Sequence, residues 1–221
     1  MKIAVCCITK NEEIHLERLI KNINDLANEI IIVDSFSEDK TKDIALKYNC
    51  KFYQKSFDNF SNQKNFCLNK VSDSSEWVLF LDADEYITEE LKQEILSIKG
   101  DIYDAYEFRR KFFWKGRWVK RGYFPHWFLR LGKKDKIKFD ENKINEHLLC
   151  LTDKVRRLEG CFVDNNLKST SKWFEKHNLY AEMESIRYFE NVEKSKKRLL
   201  WNKLPLIIRP FILLFYRLII K

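Results

Sequence analysis

The first hundred residues alternate short apolar runs with segments of helical periodicity, and this alternation restricts the chain to few folds. Strands that alternate with helices form a mainly parallel sheet flanked by helices. We therefore predict an α/β fold. The predicted elements are, in chain order, strand 3–8, helix 12–26, strand 29–33, helix 41–48, strand 51–54, helix 61–70, strand 77–81 and a helix beginning at Thr88.

Glycine is missing from the part of the chain that builds the predicted sheet, because all five glycines lie at position 100 or later. Phosphate-binding loops of the P-loop and dinucleotide types need glycines where backbone N–H groups approach phosphate. Both loop types are therefore excluded from the first 99 residues. If this sheet binds a nucleotide, side chains and a metal ion must hold it.

Three acidic residues follow the last predicted strand of this region. The apolar run 77–81 leads directly into Asp82, Ala83, Asp84 and Glu85. Carboxylates so close together repel one another unless a cation compensates, and alternation along an extended chain predicts Asp82 and Asp84 on the same side. Oxygen ligands of this kind favour Mg²⁺ or Mn²⁺ bridging to a diphosphate. The alternative is an exposed acidic turn without a ligand.

Four segments, in this order and each after a predicted strand or within a helix, resemble the motifs of family 2 glycosyltransferases, most closely the branch with lipopolysaccharide-core β-glucosyltransferases. The resemblance is strong over the first hundred residues. It implies a GT-A fold and inverting transfer of a hexose, with glucose the expected sugar, from a UDP-sugar to a lipid-linked or surface glycan such as lipopolysaccharide core. The segments are 8–13 (Ile-Thr-Lys-Asn-Glu-Glu), 32–41 (with Asp34, Ser35, Ser37, Asp39 and Thr41), 63–65 (Gln-Lys-Asn) and 81–85 (Leu-Asp-Ala-Asp-Glu).

The resemblance also implies roles for residues of the nucleotide pocket. Thr9, Asn11 and Glu12 would line the pocket in the loop after the first strand. Asp34, at the end of the second strand, would accept a hydrogen bond from the uracil N–H. Lys64 would lie near the diphosphate or the base, and the alternative is a solvated lysine on a helix.

A metal site is implied in the same way. Asp82 would face the ribose and the metal, and Asp84 would bind the metal directly. Related sequences often carry a histidine as a further ligand before a Lys-x-x-x-Tyr segment, which Lys176 and Tyr180 represent here. The aligned position holds Asp164, and a carboxylate is an acceptable oxygen ligand for a hard divalent ion.

Inverting transfer requires a carboxylate that takes the proton from the acceptor hydroxyl as it attacks the anomeric carbon. Related sequences place a His/Glu pair where this chain has Asn145, Glu146 and His147, so Glu146 is the predicted base. The alternative is an ordinary surface glutamate beside a packed histidine.

Charge and aromatic content change after residue 100. Residues 101–165 are basic and rich in aromatic side chains, and we expect strands and loops that cover the carboxyl edge of the sheet. Four arginines among these aromatics either bind phosphates or border a cleft. They are Arg109, Arg110, Arg121 and Arg130.

Residues 166–221 are expected to form a helical extension of the 1–165 transferase domain. Its last stretch, 204–220, is apolar but interrupted by prolines and arginines, so it is too short to span a bilayer. Following the basic segment 194–203, it fits an interfacial anchor on anionic lipid. The alternative is packing on the protein or on a second subunit.

The six cysteines show no Cys-x-x-Cys spacing, which predicts buried thiols in a reducing compartment. The N-terminus lacks the apolar core of a signal peptide, so we predict a cytoplasmic protein, at the inner face of the membrane if the tail binds lipid. Two other functions stay open. One is a sugar nucleotidyltransferase, which usually has a glycine-rich N-terminal loop, and the other is a non-catalytic basic module that binds membrane or nucleic acid.

Overall fold

The computed structural model describes residues 1–100, 102–121, 124–140 and 147–175, and eight single positions beyond them: 178, 181, 182, 185, 205, 208, 211 and 212. Contacts divide the chain into two compact units, Met1–Leu167 and Lys168–Lys221. In the second unit residues 170–175 are helical. Within the described residues, no helix combines the length and apolar character that a membrane crossing requires.

The first hundred residues form the elements that their hydrophobic pattern predicts, with most ends shifted by one to three residues. A fifth, short strand that begins at the last residue of the acidic run was not predicted. In chain order the elements are β1 (Ile3–Thr9), α1 (Glu13–Ile23), β2 (Glu29–Asp34), α2 (Thr41–Lys47), β3 (Lys51–Gln54), α3 (Phe60–Leu68), β4 (Trp77–Phe80), β5 (Glu85–Ile87) and α4 (Glu89–Leu96).

Helix ends follow local capping chemistry. The Asn59 side chain accepts a hydrogen bond from the backbone N–H of Asn62 and begins α3. The Thr88 hydroxyl accepts one from the N–H of Leu91, which begins α4 as the sequence predicts. These two caps place α3 and α4 directly after the loops that carry polar side chains.

Residues 105–165 add strands to the same sheet and form a second, two-stranded sheet. The further elements are β6 (Ala105–Trp114), β7 (Arg117–Trp118), β8 (Trp127–Lys133), a 3₁₀ turn (Lys134–Lys136), β9 (Ile137–Phe139), β10 (Leu148–Cys150) and β11 (Val155–Asn165). The order of the large sheet is β3-β2-β1-β4-β8-β6-β11-β5, with β7 paired to β6 alone, and β9 pairs with β10 in the small sheet. This differs from the expectation that the second half covers the edge of the sheet, because backbone hydrogen bonds extend the sheet beyond β4 instead.

Strand direction changes across the sheet. Strands β3, β2, β1 and β4 are parallel, whereas β8 runs antiparallel to both β4 and β6. Strand β6 is parallel to β11, and β5 returns antiparallel along β11. Because β5 follows β4 by only four residues, the chain between them turns sharply at the carboxyl end of β4.

Apolar clusters cover both faces of the sheet. Along β1, Val5 and Cys7 belong to the cluster beneath α1 and α4, while Ala4 and Cys6 belong to the cluster beneath α3 and β9. A strand buried on both faces reads as a continuous apolar run, which explains why 3–8 lacks polar alternation. All six cysteines are free, and all except the half-buried Cys150 are buried, in keeping with the predicted thiols.

Candidate active site

The ends of β1 and β2 meet at Asp34, which is only 1% exposed. Thr9 is the register partner of Asp34, and its hydroxyl donates a hydrogen bond of 2.8 Å to Oδ1 of Asp34. Ser37 donates twice, from its hydroxyl to Oδ1 at 2.5 Å and from its backbone N–H to Oδ2 at 2.7 Å. The three bonds use three of the roughly four acceptor positions of the carboxylate. Asp34 therefore organises the loops after both strands.

The loop after β1 is held against the loop after β2. Asn11 has φ = 53°, a conformation in which asparagine is enriched. Its backbone N–H donates to the Ser37 hydroxyl at 2.7 Å, and its side-chain oxygen accepts from the N–H of Glu38 at 2.9 Å. The N–H of Glu12 donates to the Thr41 hydroxyl at 2.8 Å. The predicted nucleotide loop is thus ordered by serine and threonine side chains in place of glycine backbone.

His15 ties this loop to the end of β11. The ring is fully buried, its Nε2 lies 2.8 Å from the backbone nitrogen of Leu167, and its Nδ1 lies 2.7 Å from Oε2 of Glu12. A backbone N–H only donates, so Nε2 is the acceptor and Nδ1 carries the proton that is donated to Glu12. Glu12 is held in one orientation by a contact to a segment more than 150 residues away in the chain.

Asp82 lies beyond the end of β4, between two cations. Its Oδ1 is 3.0 Å from Nζ of Lys64 and its Oδ2 is 3.7 Å from Arg130, while 40% of its side chain stays exposed. Lys64 is 7% exposed, so it is not a solvated helix lysine. Arg130 also contacts Oε1 of the buried Glu85 at 2.6 Å.

Asp84 occupies the turn between β4 and β5. Strand β4 ends at Phe80, so the strand alternation that predicted Asp82 and Asp84 on one side does not extend to them. Oδ2 of Asp84 accepts a hydrogen bond of 2.8 Å from the side-chain amide of Asn166. Arg18 donates to the backbone oxygens of Asp84 and Asn165, which fastens the turn to the end of β11.

Asp164 joins the acidic group from β11. It is the register partner of Glu85 in β5, and its Oδ2 lies 3.4 Å from Arg110. Burial and the negative charge of Asp84 raise the pKa of Asp164 to about 6. Burial also raises the pKa of Glu85 well above its usual range, although Arg130 opposes the rise. The acids are therefore crowded, and an added cation would relieve their repulsion.

These acids fit a divalent cation by their chemistry. Asp82, Asp84 and Asp164 supply carboxylate oxygens, the ligands that Mg²⁺ and Mn²⁺ prefer. Within the described part of the chain, no three His, Cys, Asp or Glu side chains are already arranged around a common point. A preformed cage is not required, because Mg²⁺ is usually held by one or two carboxylates together with substrate phosphates.

The structure brings most of the predicted site residues to one edge of the sheet. Glu146, Lys176 and Tyr180 lie outside the described residues, as does nearly all of the 204–220 tail. Of the four arginines, Arg109 contacts Glu159 at 3.1 Å and Arg121 is exposed, whereas the other two approach the acids.

Sequence reasoning missed several residues that hold the site together. Two of them, His15 and Arg18, lie on α1, where helical spacing marks them only as part of an amphipathic helix. Arg130 was predicted only as a possible phosphate ligand, and its pairing with Glu85 has no local sequence signal. The signal that the sequence offers for His15 is its place beside Leu16 and Leu19 on a helix that directly follows the predicted nucleotide loop, since a polar side chain buried there needs a partner.

Several known proteins resemble this chain in sequence. The family model described as Glycosyl transferase family 2 matches residues 4–157. An uncharacterized glycosyltransferase of Rickettsia bellii is 38% identical over 112 residues, which is 49% of this chain and 37% of the relative. One of Rickettsia typhi is 34% identical over 132 residues, 56% of this chain and 43% of the relative. The chain thus spans about two-fifths of the length of these curated relatives.

A solved structure shares the fold. Staphylococcus aureus TarS, residues 1–349, crystallised in complex with UDP-GlcNAc, superposes with a TM-score of 0.55 and 18% sequence identity. The superposition covers 76% of this chain and 60% of the TarS chain. At this identity the likeness shows the fold, and it confirms the predicted GT-A architecture.

Proposed function

Because the chain belongs to glycosyl transferase family 2, we propose that it transfers a hexose from a UDP-sugar to a glycan acceptor, with a divalent metal held by Asp82 and Asp84. One observation carries this proposal. The half-exposed Asp82 and the turn of Asp84 lie where β4 ends, beside the strand β1 whose following loop holds Asn11 and Glu12. Ligands of open α/β sheets bind at the carboxyl ends of neighbouring strands.

The donor is proposed to be a UDP-sugar because of the loops around Asp34. The carboxylate keeps one acceptor position, which is the position proposed for the uracil N–H. Thr9, Asn11 and Glu12 are proposed to line the nucleotide pocket. The TarS structure, which shares the fold, was crystallised with UDP-GlcNAc, and this supports the same donor class.

The metal is proposed to be Mg²⁺ or Mn²⁺. Asp84 would bind it directly, Asp82 would bind it and face the ribose, and Asp164 would be a further oxygen ligand. When bound, such an ion neutralises the diphosphate as it departs. The side chains of Lys64 and Arg130, which lie beside Asp82, add positive charge where the diphosphate would lie.

The proposed chemistry is a single displacement with inversion. The acceptor hydroxyl oxygen attacks the anomeric carbon, the bond from that carbon to the diphosphate oxygen breaks, and the bonding electrons leave with UDP. The hydroxyl proton moves to a carboxylate, for which Glu146 is proposed. The proposed sugar is a hexose such as glucose. The proposed acceptor is lipopolysaccharide core or another lipid-linked glycan, and the proposed place of reaction is the inner face of the membrane.

The decisive experiment replaces Asp84 with asparagine, which keeps the size of the side chain but removes its charge. Calorimetry with UDP and Mn²⁺ should show at least about tenfold weaker binding. Mutation of a residue that only hydrogen-bonds to a metal ligand already lowers metal affinity by about that factor, and loss of a ligand should cost no less. Asp73→Asn is the control, since Asp73 is a fully exposed acid paired with Lys134. Unchanged metal-dependent UDP binding by Asp84→Asn would reject the assignment.

A further inference from the structure

The strands β6 and β7 form a hairpin with an unusual charge distribution. No Asp or Glu occurs between Phe108 and Lys134. Seven Lys and Arg residues fall within the hairpin and its immediate flanks. They are Arg109, Arg110, Lys111, Lys115, Arg117, Lys120 and Arg121.

The tip of this hairpin has a defined shape. Trp114 pairs with Arg117, so the turn contains only Lys115 and Gly116. Both have positive φ, 48° and 76°, which is the conformation of the two-residue turns that suit the twist of a hairpin. The N–H of Val119 donates to the oxygen of Phe112 at 2.9 Å and continues the pairing. The tip therefore presents its side chains from a regular backbone.

Aromatic rings and cations alternate at this tip. The ammonium groups of Lys120 and Lys111 lie 4.6 and 5.3 Å from the ring centre of Trp118. The ammonium group of Lys115 lies 5.7 Å from the ring centre of Trp114. Lys115, Arg117 and Lys120 are exposed, while both tryptophans are half-buried. Tryptophan beside lysine and arginine is the combination enriched where proteins contact the membrane interface.

Strand register places the tip beyond the acidic site. Phe112 pairs with Asp164, and Asp164 pairs with Glu85, so Phe112 is level with the acids. Lys115 is three residues further along the same direction, about 10 Å at the rise of an extended strand. A flat surface that contacts the tip would therefore face the edge of the sheet that carries the acids.

We propose that the tip of the β6–β7 hairpin docks on an anionic lipid surface. Lys115, Arg117 and Lys120 contact the acidic headgroups, and Trp114 and Trp118 lie at headgroup depth. Each cation near such a surface strengthens binding by about fivefold. A lipid surface fits better than a single-stranded nucleic acid, because proteins bind single strands in grooves that follow the backbone, and a two-residue tip offers no groove.

Lipid docking at the hairpin is separate from the 204–220 tail and does not depend on transferase activity. Its consequence for catalysis does rest on the proposed function. A lipid-linked acceptor on the same surface would then be presented to the acidic edge from about 10 Å away.

The test measures sedimentation of the full chain with phosphatidylcholine vesicles that contain or lack phosphatidylglycerol. The variant K115Q/R117Q/K120Q keeps long polar side chains and should bind the anionic vesicles about 100-fold more weakly. The control K2Q/K42Q/K99Q removes the same charge from three other exposed lysines and should change binding by less than about fivefold. Circular dichroism and the thermal midpoint measured without ligand check that each variant folds.

A second measurement uses brominated lipids, which quench tryptophan fluorescence in contact with the bilayer. Quenching should be present in the parent chain and largely lost in W114F/W118F. Equal losses in both triple-glutamine variants, or release by deletion of residues 204–221 with no effect of the hairpin variant, would overturn the proposal. So would strong binding to DNA or an acidic polysaccharide without vesicle binding. Vesicle binding by a chain that does not bind UDP would instead contradict only the proposed function.

Discussion

The first hundred residues and residues 101–165 contribute to one sheet in different ways. The first part has 13 Lys and Arg against 18 Asp and Glu, a net charge of −5, and its strands β3, β2, β1 and β4 are parallel. The second part has 16 basic against 10 acidic residues, a net charge of +6, and its strands run in both directions, since β8 is antiparallel to β6 while β11 is parallel to it. Asp82, Asp84 and Glu85 thus come from the first part, and Arg130, which lies beside two of them, comes from the second.

This difference shows that the candidate site is a junction between the first hundred residues and residues 101–165. Arg130 of β8 holds Glu85 of β5, and Arg18 of α1 donates to the backbone oxygens of Asp84 and Asn165. The loops around Asp34, in contrast, are ordered entirely by residues of the first part. If the junction builds the site, changes at contacts between the two parts should cost more stability than changes within the first part.

The largest effect is expected at the pair of Arg130 and Glu85. Arg130→Met removes the cation beside a carboxylate that is 3% exposed, and a buried charge left without its partner costs about 3–5 kcal/mol. Urea denaturation of the variant measures the free energy of unfolding. The double variant Arg130→Met with Glu85→Leu should recover much of the loss, since replacing both partners leaves no unpaired charge. Equal losses in the single and double variants would contradict a pairing role.

The next largest effect is expected where α4 packs on β11. A Cβ atom at Gly160 would lie 2.4 Å from Cα and 2.7 Å from the backbone nitrogen of Leu91, so Gly160→Ala forces backbone movement and should cost about 1–3 kcal/mol. At Gly132 the closest contact would be the Cγ2 methyl of Ile137 at 2.3 Å, a side-chain atom, and the nearest backbone atom would be the oxygen of Asp104 at 3.4 Å. Gly132→Ala should therefore lower the thermal midpoint less. A larger loss for Gly132→Ala would argue against a rigid junction between α4 and β11.

Within the first part, Thr9→Val removes one hydrogen bond to Asp34. Hydrogen bonds to charged groups contribute about 1.5–3 kcal/mol, and because both bonds from Ser37 remain, a loss near the lower value is expected. Chemical denaturation gives the stability change. If Asp34 orders the predicted nucleotide loop, UDP binding should weaken together with stability. Unchanged UDP binding would show that the hydrogen bond from Thr9 stabilises the fold without ordering that loop for UDP.

The smallest effect is expected at Glu29, far along β2 from the junction. Burial acts to raise the pKa of Glu29, but hydrogen bonds from Lys51, Ser75 and Ser72 outweigh it and lower the pKa to about 2. Its carboxylate therefore stabilises the fold above the unfolded pKa, and this contribution is lost as pH falls from about 4.5 to 2. Glu29→Gln should be about 1 kcal/mol less stable at pH 7, with the difference vanishing near pH 2 in urea titrations. A constant difference across this range would contradict the titration of Glu29.

The sequence predicted the first part of the fold well and the second part only in outline. Periodicity located α1 because Leu16, Leu19 and Ile20 recur at helical spacing and are all buried. The same reasoning gave no strand order after residue 100. The pairing of β8 with β4 places Lys133 opposite Trp77, and no short window of sequence contains both residues.

Roles within the site divide in the same way. The acidic run after the strand 77–81 predicted a site at Asp82, whereas the roles expected for Thr9 and Asp34 came from the resemblance to family 2 glycosyltransferases. The sequence did not identify the partner of Glu85. Arg130 is 45 residues away, and its charge alone does not show which acid it contacts. Lys64 appeared equally suited to solvent and to the site until packing of α3 buried it.

Local chemistry in the sequence alone determined where helices and strands begin, which runs are buried on both faces, and that acids follow the strand at 77–81. These features depend on neighbours within a few residues, through hydrogen bonds along the backbone and the periodic burial of apolar side chains. Only the tertiary structure decided which cation meets which acid, and that β6 and β7 project a basic tip past them. Those outcomes depend on register between strands distant in the chain, where the free energy of burial and pairing is shared among many residues and no single segment specifies it.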